Sequence, residues 1–327
     1  MSTSHLLPRW AAPLAAEDRY DHFCALVAEI AAARFGDDVA RLDPEVGVLH
    51  GPDGLVAWMG NLAATCAGLP PSQWRLCIYS FLSWADDLQP ARVANMLRTW
   101  TQVRGLLRVR LLAAAESGPD VGFEVVRRPL GAGACLGLVA SLDGNTAPIS
   151  VEHADEWGVD LDEAWHVAER NLRRYEVFEQ TVYGGHGQVM VHLSGGMFTT
   201  GHALRLDELG LGVGEQGALV AAPNARELFV LPLGHDSAAH AALAMSETAL
   251  RVHLTEPNPV SPSLYWFRAP GVLVPAVDMS DGSARVLEPA VVLGAGNATG
   301  APMREDAAHE HSGEPSHPPR GSTSADG

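Results

Sequence analysis

Residues 135–176 constrain the fold more tightly than any other part of the chain, because they join a long apolar run to a helix of regular pattern. Residues 135–142, CLGLVASL, are almost continuously apolar, which is typical of a strand buried on both faces. A second, short strand is predicted at residues 149–151. The sequence therefore places the first of these strands in the middle of a core.

A helix is predicted to begin after Asp160. This residue lies three positions before Glu163, the spacing of a reciprocal capping box, so we expect its carboxylate to accept a hydrogen bond from the Glu163 amide. The apolar positions of the helix share one stripe, and they are Leu161, Ala164, Trp165, Ala168, Leu172 and Tyr175. This pattern predicts that Trp165 faces the core.

The first part of the chain has mainly helical patterns. Residues 1–15 are expected to form a flexible N-terminus, and residues 16–118 a helical and hairpin subdomain. Within it, helices are predicted at residues 18–34, 60–67, 72–84 and 90–116, with a β-hairpin formed by residues 46–49 and 55–58.

The remaining chain, residues 119–294, mixes strands and helices without regular alternation. Strands are predicted at residues 123–127, 178–183, 188–193, 218–222, 227–233, 264–267, 272–275 and 286–292, and helices at 200–209 and 237–253, the latter with Asp236 as its N-cap. This order predicts an α+β fold, in which helices pack on a mixed, mainly antiparallel sheet beside an N-terminal helical layer. Residues 295–327 have almost no bulky apolar side chains, which predicts a disordered tail.

The composition excludes several kinds of chemistry. The sequence contains no lysine, so Schiff-base catalysis and a P-loop lysine are excluded within this chain. Its 39 acidic residues outweigh 22 basic ones, and a net charge of −17 disfavours binding to the phosphates of a nucleic acid. Arg104, Arg108 and Arg110 are expected to form the solvated face of a helix.

The cysteine pattern and the lack of long apolar runs bear on the compartment. The four cysteines are widely spaced without a C-x-x-C pair, which favours reduced thiols that pack as small apolar side chains; they are Cys24, Cys66, Cys77 and Cys135. The first residues lack the pattern of a secretory leader, and no apolar stretch is long enough for a membrane span. We therefore expect a cytoplasmic protein that has no membrane partner.

Several short motifs resemble a known group of bacterial proteins. The motifs are Leu142-Asp143, Asp155-Glu156-Trp157-Gly158, Asn171-Leu172, and residues 222–228 and 259–265. Together they resemble the YtpQ-like domain-of-unknown-function family, over about residues 34–293. That family has no established activity, so the resemblance implies no reaction. It makes Asp155, Trp157, Asn171 and Arg226 candidate binding residues, although turns and caps are the simpler roles for them.

Candidate catalytic residues lie near a glycine-rich hairpin, residues 184–196. His186 and His192 have the same parity along this hairpin and are candidates for a small-molecule site together with Asp143. The histidine spacing matches no zinc pattern, so no metal is expected. The G-x-G-x-x-G at residues 212–217 lacks the preceding strand and following helix of a dinucleotide site, so no cofactor is expected.

Two functions of different classes remain open from the sequence. The first is a cytoplasmic, non-enzymatic protein-binding or accessory module whose acidic surface recognises a protein partner. The second is a small-molecule hydrolase that uses His186 or His192 with a carboxylate such as Asp143. A hydrolase requires these groups to converge in a pocket, whereas a binding module requires an exposed surface that can accept a partner.

Overall fold

The computed structural model describes residues 7–15, 19–36, 39–52, 55–87, 90–114, 124–142, 145–185, 188–234 and 238–293. Within these ranges the α-helices are α1 (Arg19–Phe35), α2 (Gly60–Ala67), α3 (Pro71–Asp87), α4 (Pro90–Leu97), α5 (Trp100–Val103), α6 (Val151–Glu156), α7 (Leu161–Tyr175), α8 (Ala239–Thr255) and α9 (Pro289–Leu293). Short 3-10 helices occupy Arg9–Leu14, Thr199–Leu204 and Leu206–Leu209.

The strands form three separate sheets. They are β1 (Arg41–Asp43), β2 (Val48–His50), β3 (Val56–Trp58), β4 (Leu107–Ala113), β5 (Arg127–Gly131), β6 (Ala134–Leu142), β7 (Asn145–Pro148), β8 (Phe178–Gly185), β9 (Gln188–Gly195), β10 (Ala218–Ala221), β11 (Glu227–Pro232), β12 (Leu264–Ala269), β13 (Val272–Asp278) and β14 (Arg285–Val286). Every pairing between these strands is antiparallel. The predicted α+β fold with mainly antiparallel sheets is therefore confirmed.

The N-terminal unit packs helices around the three-stranded sheet β1-β2-β3. Helices α1, α2 and α3 bury Phe23, Leu62 and Trp74 in a common core. The Trp74 indole donates a hydrogen bond of 2.6 Å to the Cys66 carbonyl at the end of α2, which fixes α3 against that helix. For the described residues 7–15, a 3-10 helix contradicts the predicted flexible segment 1–15, because Leu14 of this helix is buried in the core and Trp10 packs against it.

The single helix predicted over residues 90–116 is wrong in its second half. Helices α4 and α5 are followed by strand β4, which pairs with β6 over seven residues. The residues of β4 belong to the core of the second unit, as does Leu97, so the predicted boundary at residue 118 lies too late in the chain. The expected solvated arginine face is also wrong, since Arg108 and Arg110 lie on β4 and are each only 6% exposed.

The second unit contains two sheets with a core between them. One sheet has the order β4-β6-β5, with β7 also paired to β6, and the other has the order β14-β13-β12-β10-β11-β9-β8. Alternate residues of β11 face opposite sides of the larger sheet. Leu228 and Val230 lie in the core that is shared with β4, β6 and α7, whereas Phe229 and Leu231 lie in a second core under α8 and α9. The middle of the larger sheet is therefore covered on both faces.

Residues 135–176 contain the predicted buried strand and the predicted helix, but not the predicted short strand between them. The buried strand is confirmed as β6. The short strand predicted at residues 149–151 is wrong, because Ser150 instead caps helix α6 by accepting a hydrogen bond of 3.1 Å from the His153 amide. Asp160 does cap α7, but it accepts from the Asp162 amide, at 2.9 Å, rather than from Glu163. Trp165 is 4% exposed, as the apolar stripe predicted.

Most of the remaining predicted elements are present with shifted ends. The hairpin of β8 and β9 is confirmed, as are the strands β10 to β13 and the long helix α8. The strand predicted at residues 123–127 begins only at Arg127, and the one predicted at residues 286–292 is replaced by β14 and α9, where Pro289 begins a helix. Asp236 and the predicted tail at residues 295–327 lie outside the described residues. No helix in the described part of the chain has the length and apolarity needed to span a bilayer.

A buried ion pair joins β4 to the segment between α7 and β8. The Arg108 Nε donates a hydrogen bond of 2.8 Å to Glu176, and the two side chains are 8% and 17% exposed. Arg108 also donates to the Leu107 carbonyl at 2.9 Å, and its guanidinium lies 5.0 Å from the centre of the Tyr175 ring. Because Glu176 lies two residues before β8 begins, this pair fixes the position of that strand.

We predict that Trp165→Ala lowers the free energy of unfolding by roughly 3–5 kcal/mol, since it leaves a cavity beneath α7. The Arg128 guanidinium, 4.4 Å from the centre of the indole ring, also loses its aromatic contact. Leu161→Ala, at an exposed position of the same helix, is the control and should change stability by no more than about 0.5 kcal/mol. Urea unfolding measures both. Equal, small effects at the two positions would mean that α7 does not bury Trp165.

We predict that Arg108→Met costs roughly 3–5 kcal/mol of stability, because it leaves the Glu176 carboxylate buried without its partner. The double variant Arg108→Met/Glu176→Gln should cost clearly less than the sum of the single changes. Arg75→Met removes an exposed ion pair with Glu29 and should cost less than about 1 kcal/mol. Urea unfolding of Arg108→Met, Glu176→Gln and the double variant gives the coupling energy between the two side chains. Additive effects of the two single changes would contradict this interpretation.

Candidate functional site

Of the three candidate catalytic residues, only His192 can be placed. Asp143 and His186 lie outside the described residues. His192 lies on β9, opposite Phe229 of β11 and Thr181 of β8. The structure therefore describes the surroundings of His192 but not a convergence of the three residues.

The His192 ring is held in a stack of aromatic side chains. Its centre lies 4.5 Å from that of Phe229, with 15° between the ring planes, and 6.4 Å from that of Tyr183, with 29° between the planes. The stack crosses β11, β9 and β8 on one face of the larger sheet, because residues paired across antiparallel strands share a face. This packing fixes the imidazole and leaves its side chain 17% exposed.

The Glu227 carboxylate lies near His192, but the two do not form a hydrogen bond. The distance from His192 Nε2 to the Glu227 carboxylate is 4.0 Å, which is too long. Burial lowers the pKa of His192. Burial also raises the pKa of Glu227, with a further contribution from Glu256 and an opposing one from Arg251. Both shifts favour neutral forms, so charge attraction between the two side chains is weakened.

The surroundings of His192 contain hydroxyl groups but no nucleophile bound to the imidazole. The strand register places Thr181 opposite His192 and Ser194 opposite Glu227. Within the described residues, however, the buried Nε2 of His192 has no hydrogen-bond partner. A nucleophile activated by histidine requires such a contact. The described residues also contain no group of three or more His, Cys, Asp or Glu side chains that could hold a metal ion.

Two of the four candidate binding residues support the backbone. The Trp157 indole donates a hydrogen bond of 2.7 Å to the Leu97 carbonyl at the end of α4. The Asn171 amide donates to the Arg104 carbonyl at 2.7 Å and to the Leu107 carbonyl at 3.0 Å, which joins α7 to the connection between α5 and β4. Both side chains therefore donate to backbone carbonyl groups where these segments end, and the Leu107 carbonyl also accepts from Arg108.

The other two candidates, Asp155 and Arg226, lie on the surface. Asp155 is exposed in the last turn of α6, and Arg226 is exposed just before β11. The Arg226 amide donates a hydrogen bond of 2.8 Å to the Asn224 side chain, and its carbonyl accepts one of 3.0 Å from Gly195. The backbone of Arg226 thus forms a turn and a hydrogen bond with Gly195 directly before β11, while the Arg226 side chain is exposed to solvent.

The late motif at residues 259–265 connects the two sheets. The Tyr265 hydroxyl donates a hydrogen bond of 2.9 Å to the Ala132 carbonyl, and the Ser261 hydroxyl also donates to this carbonyl, at 3.0 Å. Ala132 lies in the turn between β5 and β6 and has a φ of 47°, which is rarely adopted by a residue with a side chain. These contacts hold the strained turn against β12, so the motif has a structural role.

Among the described residues, strand β8 forms an open edge of the larger sheet, because β9 is the one described strand paired with it. It pairs with β9 over eight residues without a register shift. The Gly195 amide donates to Arg226, so residues of β9 with odd numbers direct their backbone groups to β11 and those with even numbers direct them to β8. Along β8, it follows that the free edge carries the amide and carbonyl groups of Gln180, Val182 and Gly184.

The side chains of this edge do not obstruct pairing. Natural edges are commonly blocked by proline, charged side chains, bulges or short length. Strand β8, FEQTVYGG, has eight residues without a proline or a bulge, and its single charged residue is Glu179 near its beginning. Val182 is 56% exposed and Tyr183 48% exposed. The opposite edge of the same sheet, β14, has only two residues and so offers little backbone for pairing.

The sequence pattern does not indicate this edge, nor the positions of Glu227 and Phe229 beside His192. The pattern of residues 178–183 predicts a strand, but it does not predict which strand ends the sheet. That position depends on the pairing of β9 with β11, more than thirty residues later in the chain. The one available signal was the absence of proline and arginine from the predicted strand.

A buried histidine lies beneath the beginning of β8. His202 is 1% exposed, and its ring packs edge-on against Phe178, the first residue of the strand, at 4.7 Å. Its Nδ1 lies 3.2 Å from an Arg205 nitrogen and must accept that hydrogen bond, since arginine only donates. The neutral ring then carries its proton on Nε2, which is buried without a partner among the described residues. Burial, together with Arg205, lowers the pKa of His202 to about 4.

The chain matches no protein-family profile, no curated protein and no solved structure. The resemblance to the YtpQ-like family therefore stays a prediction. Any proposal about function therefore rests on the geometry of the described residues.

We predict that His202 makes the protein less stable as the pH falls. Its pKa in the folded chain is below the usual value of 6.5, so the unfolded chain binds the proton more tightly, and stability is lost as the pH falls from about 6.5 toward 4. Near pH 5 the loss from this residue should be roughly 2 kcal/mol. Urea unfolding at two pH values should show a pH dependence that is smaller by this amount in His202→Phe. Equal pH dependence in the two proteins would contradict the assignment.

Proposed function

We propose that the chain is a protein-binding module that accepts an extended segment of its partner at the free edge of strand β8. The observation that carries this proposal is an eight-residue edge strand with exposed apolar side chains, a single charged residue and no proline or bulge. Proteins generally shorten, charge or cover such an edge, because it pairs readily with other chains. An edge left open in this way fits a role in binding.

Strand addition explains how each part of β8 contributes. The outward amide and carbonyl groups of Gln180, Val182 and Gly184 supply main-chain hydrogen bonds, which give affinity with little dependence on the partner's sequence. Val182 and Tyr183 project to opposite faces of the sheet and can contact alternate side chains of the added strand. These contacts supply selectivity.

Exposed apolar side chains are concentrated around this edge. Five of the fifteen large apolar side chains that are exposed among the described residues lie between residues 175 and 189, and these are Tyr175, Val177, Val182, Tyr183 and Val189. Val177, directly before β8, is 84% exposed. Clustered apolar exposure is typical of interaction surfaces, whereas scattered single residues are ordinary.

Contacts with neighbouring elements hold strand β8 in a fixed position. Its residues pair continuously with β9, and the ion pair of Arg108 with Glu176 fixes the chain where it enters the strand. Phe178 packs on the buried ring of His202. A binding surface that is already ordered loses less conformational entropy when a partner binds, so this support favours affinity.

The residues of strand β8 indicate which kind of partner segment would bind to it. The segment is extended, lacks proline at the pairing positions, and carries apolar or β-branched side chains opposite Val182 and Tyr183. An acidic residue is disfavoured in it at the position opposite Glu179, which is exposed on β8.

We also infer that the protein acts in a reducing compartment, the cytoplasm. The support is the cysteine pattern: none of the four cysteines forms a disulfide among the described residues, and Cys66 and Cys135 are buried among apolar side chains. Burial and the neighbouring Cys77 raise the pKa of Cys66 to about 12, which keeps this thiol protonated and unreactive.

The hydrolase function stays a prediction from the sequence. The described residues around His192 offer a fixed imidazole and a nearby acid, but the imidazole has no hydrogen-bonded nucleophile. The protein-binding function has a specific structural observation in its favour, and we therefore propose it as the main function.

A selection from a random linear peptide library tests this proposal. Peptides that bind the protein should share an extended, alternating apolar pattern, and Val182→Pro should weaken their binding at least tenfold because it removes an outward amide and places a ring at the edge. The same variant should melt like the wild type, since this amide makes no bond to β9. Leu76→Asp, which changes an exposed apolar residue of α3, should bind normally.

The reverse pattern would contradict the proposal. If the selected peptides bind Val182→Pro as well as the wild type, β8 is not the binding surface. Val182→Arg provides a second variant with a charge at the same position, so that a defect specific to proline can be recognised.

A further inference from the structure

We infer that the segment accepted by this edge is β8 of a second copy of the chain, so that two copies join through antiparallel β8 strands centred on Val182. This inference rests on the proposed function, because it names the partner of the same surface. The result is one continuous sheet that contains the seven strands of each copy.

Symmetry restricts how two identical edges can pair. A two-fold axis perpendicular to the sheet makes the strands antiparallel and keeps each face of the sheet on its own side, so residues opposite each other have numbers of the same parity. The axis must then lie midway between the two copies of one residue. With the axis at Val182, this residue faces its own copy, and Gln180 faces Gly184. These are the residues whose backbone groups point outward, so the free hydrogen-bonding groups meet each other.

The side chains fit this register. On one face, Val182 lies against Val182 of the second copy, and on the other face Thr181 lies opposite Tyr183. Pairs of β-branched residues, and of an aromatic with a β-branched residue, are favourable across antiparallel strands. With the axis at Thr181 instead, Glu179 would lie opposite Tyr183 and the two valines would separate. Of these two registers, the one centred on Val182 is therefore favoured.

Charge also favours this edge as the contact between copies. Two chains with a net charge of −17 each repel one another, so a contact between copies requires a surface with few charges. Strand β8 has one charged residue in eight, Glu179. In the register centred on Val182 it lies opposite Gly185 of the second copy, which avoids a pair of like charges.

Light scattering after size-exclusion chromatography, over a dilution series of the full chain, tests the inference. The wild type should be a dimer that dissociates on dilution. Val182→Pro and Val182→Arg should be monomers at every concentration. Their melting temperatures should equal that of the wild type in dilute solution, where the wild type is also monomeric. Leu76→Asp, at a position that is 72% exposed on α3, is the matched control and should remain a dimer.

Cross-linking tests the register. Thr181 and Tyr183 of opposite copies are paired without hydrogen bonds, the type of pair whose Cα atoms lie closest. The double variant Thr181→Cys/Tyr183→Cys should form a covalent dimer under mild oxidation, whereas each single variant and the wild type should not. Cross-linking of Thr181→Cys alone would place the axis at Thr181 and overturn the register.

The outcomes separate this inference from the proposed function. A wild type that is monomeric throughout the dilution series overturns self-pairing, while peptide binding that is lost in Val182→Pro would still support the free edge. A dimer that persists in both Val182 variants also overturns self-pairing, because another surface then joins the copies. Peptide binding that is indifferent to Val182→Pro rejects the proposed function itself.

Discussion

The buried ion pair between Arg108 and Glu176 sets the geometry on which the rest of the second unit depends. It joins β4 of the smaller sheet to the segment that leaves α7 and enters β8, the edge of the larger sheet. A charge in such a position must be paired, because desolvation without a partner costs several kcal/mol. The Tyr175 and Phe198 rings, 5.0 and 5.9 Å from the guanidinium carbon, surround it with apolar material. The edge strand therefore begins from a fixed point.

This fixed point explains why one edge of the sheet can remain open without becoming disordered. Strand β8 is held by β9 along its length, by the ion pair at its entry and by the contact of Phe178 with His202. The other edge ends in the two-residue strand β14, and the middle of the sheet is covered on both faces. Pairing capacity is thus concentrated at β8, which is the property expected of a binding edge.

Local patterns predicted those parts of the fold that local physics determines. Continuous apolarity predicted β6, a 3.6-residue period predicted α7 and the burial of Trp165, and the glycine-rich turn predicted the hairpin of β8 and β9. Residues 107–113 were predicted as part of a helix with Arg108 and Arg110 on its solvated face. They form strand β4 instead, where both arginines are buried and Glu176 pairs with Arg108. Of the site, the sequence predicted His192 but not Phe229, Glu227 or the edge, since these depend on strand order across distant segments.

Amide hydrogen exchange along β8, measured by NMR at several protein concentrations, tests the central claim most directly. The account predicts slow exchange at Thr181 and Tyr183 throughout, because β9 protects them. Exchange at Gln180, Val182 and Gly184 should be fast in dilute protein and should slow as the concentration rises and a second strand adds to the edge. Protection of these three amides in dilute protein, or fast exchange that does not change with concentration, would contradict the account.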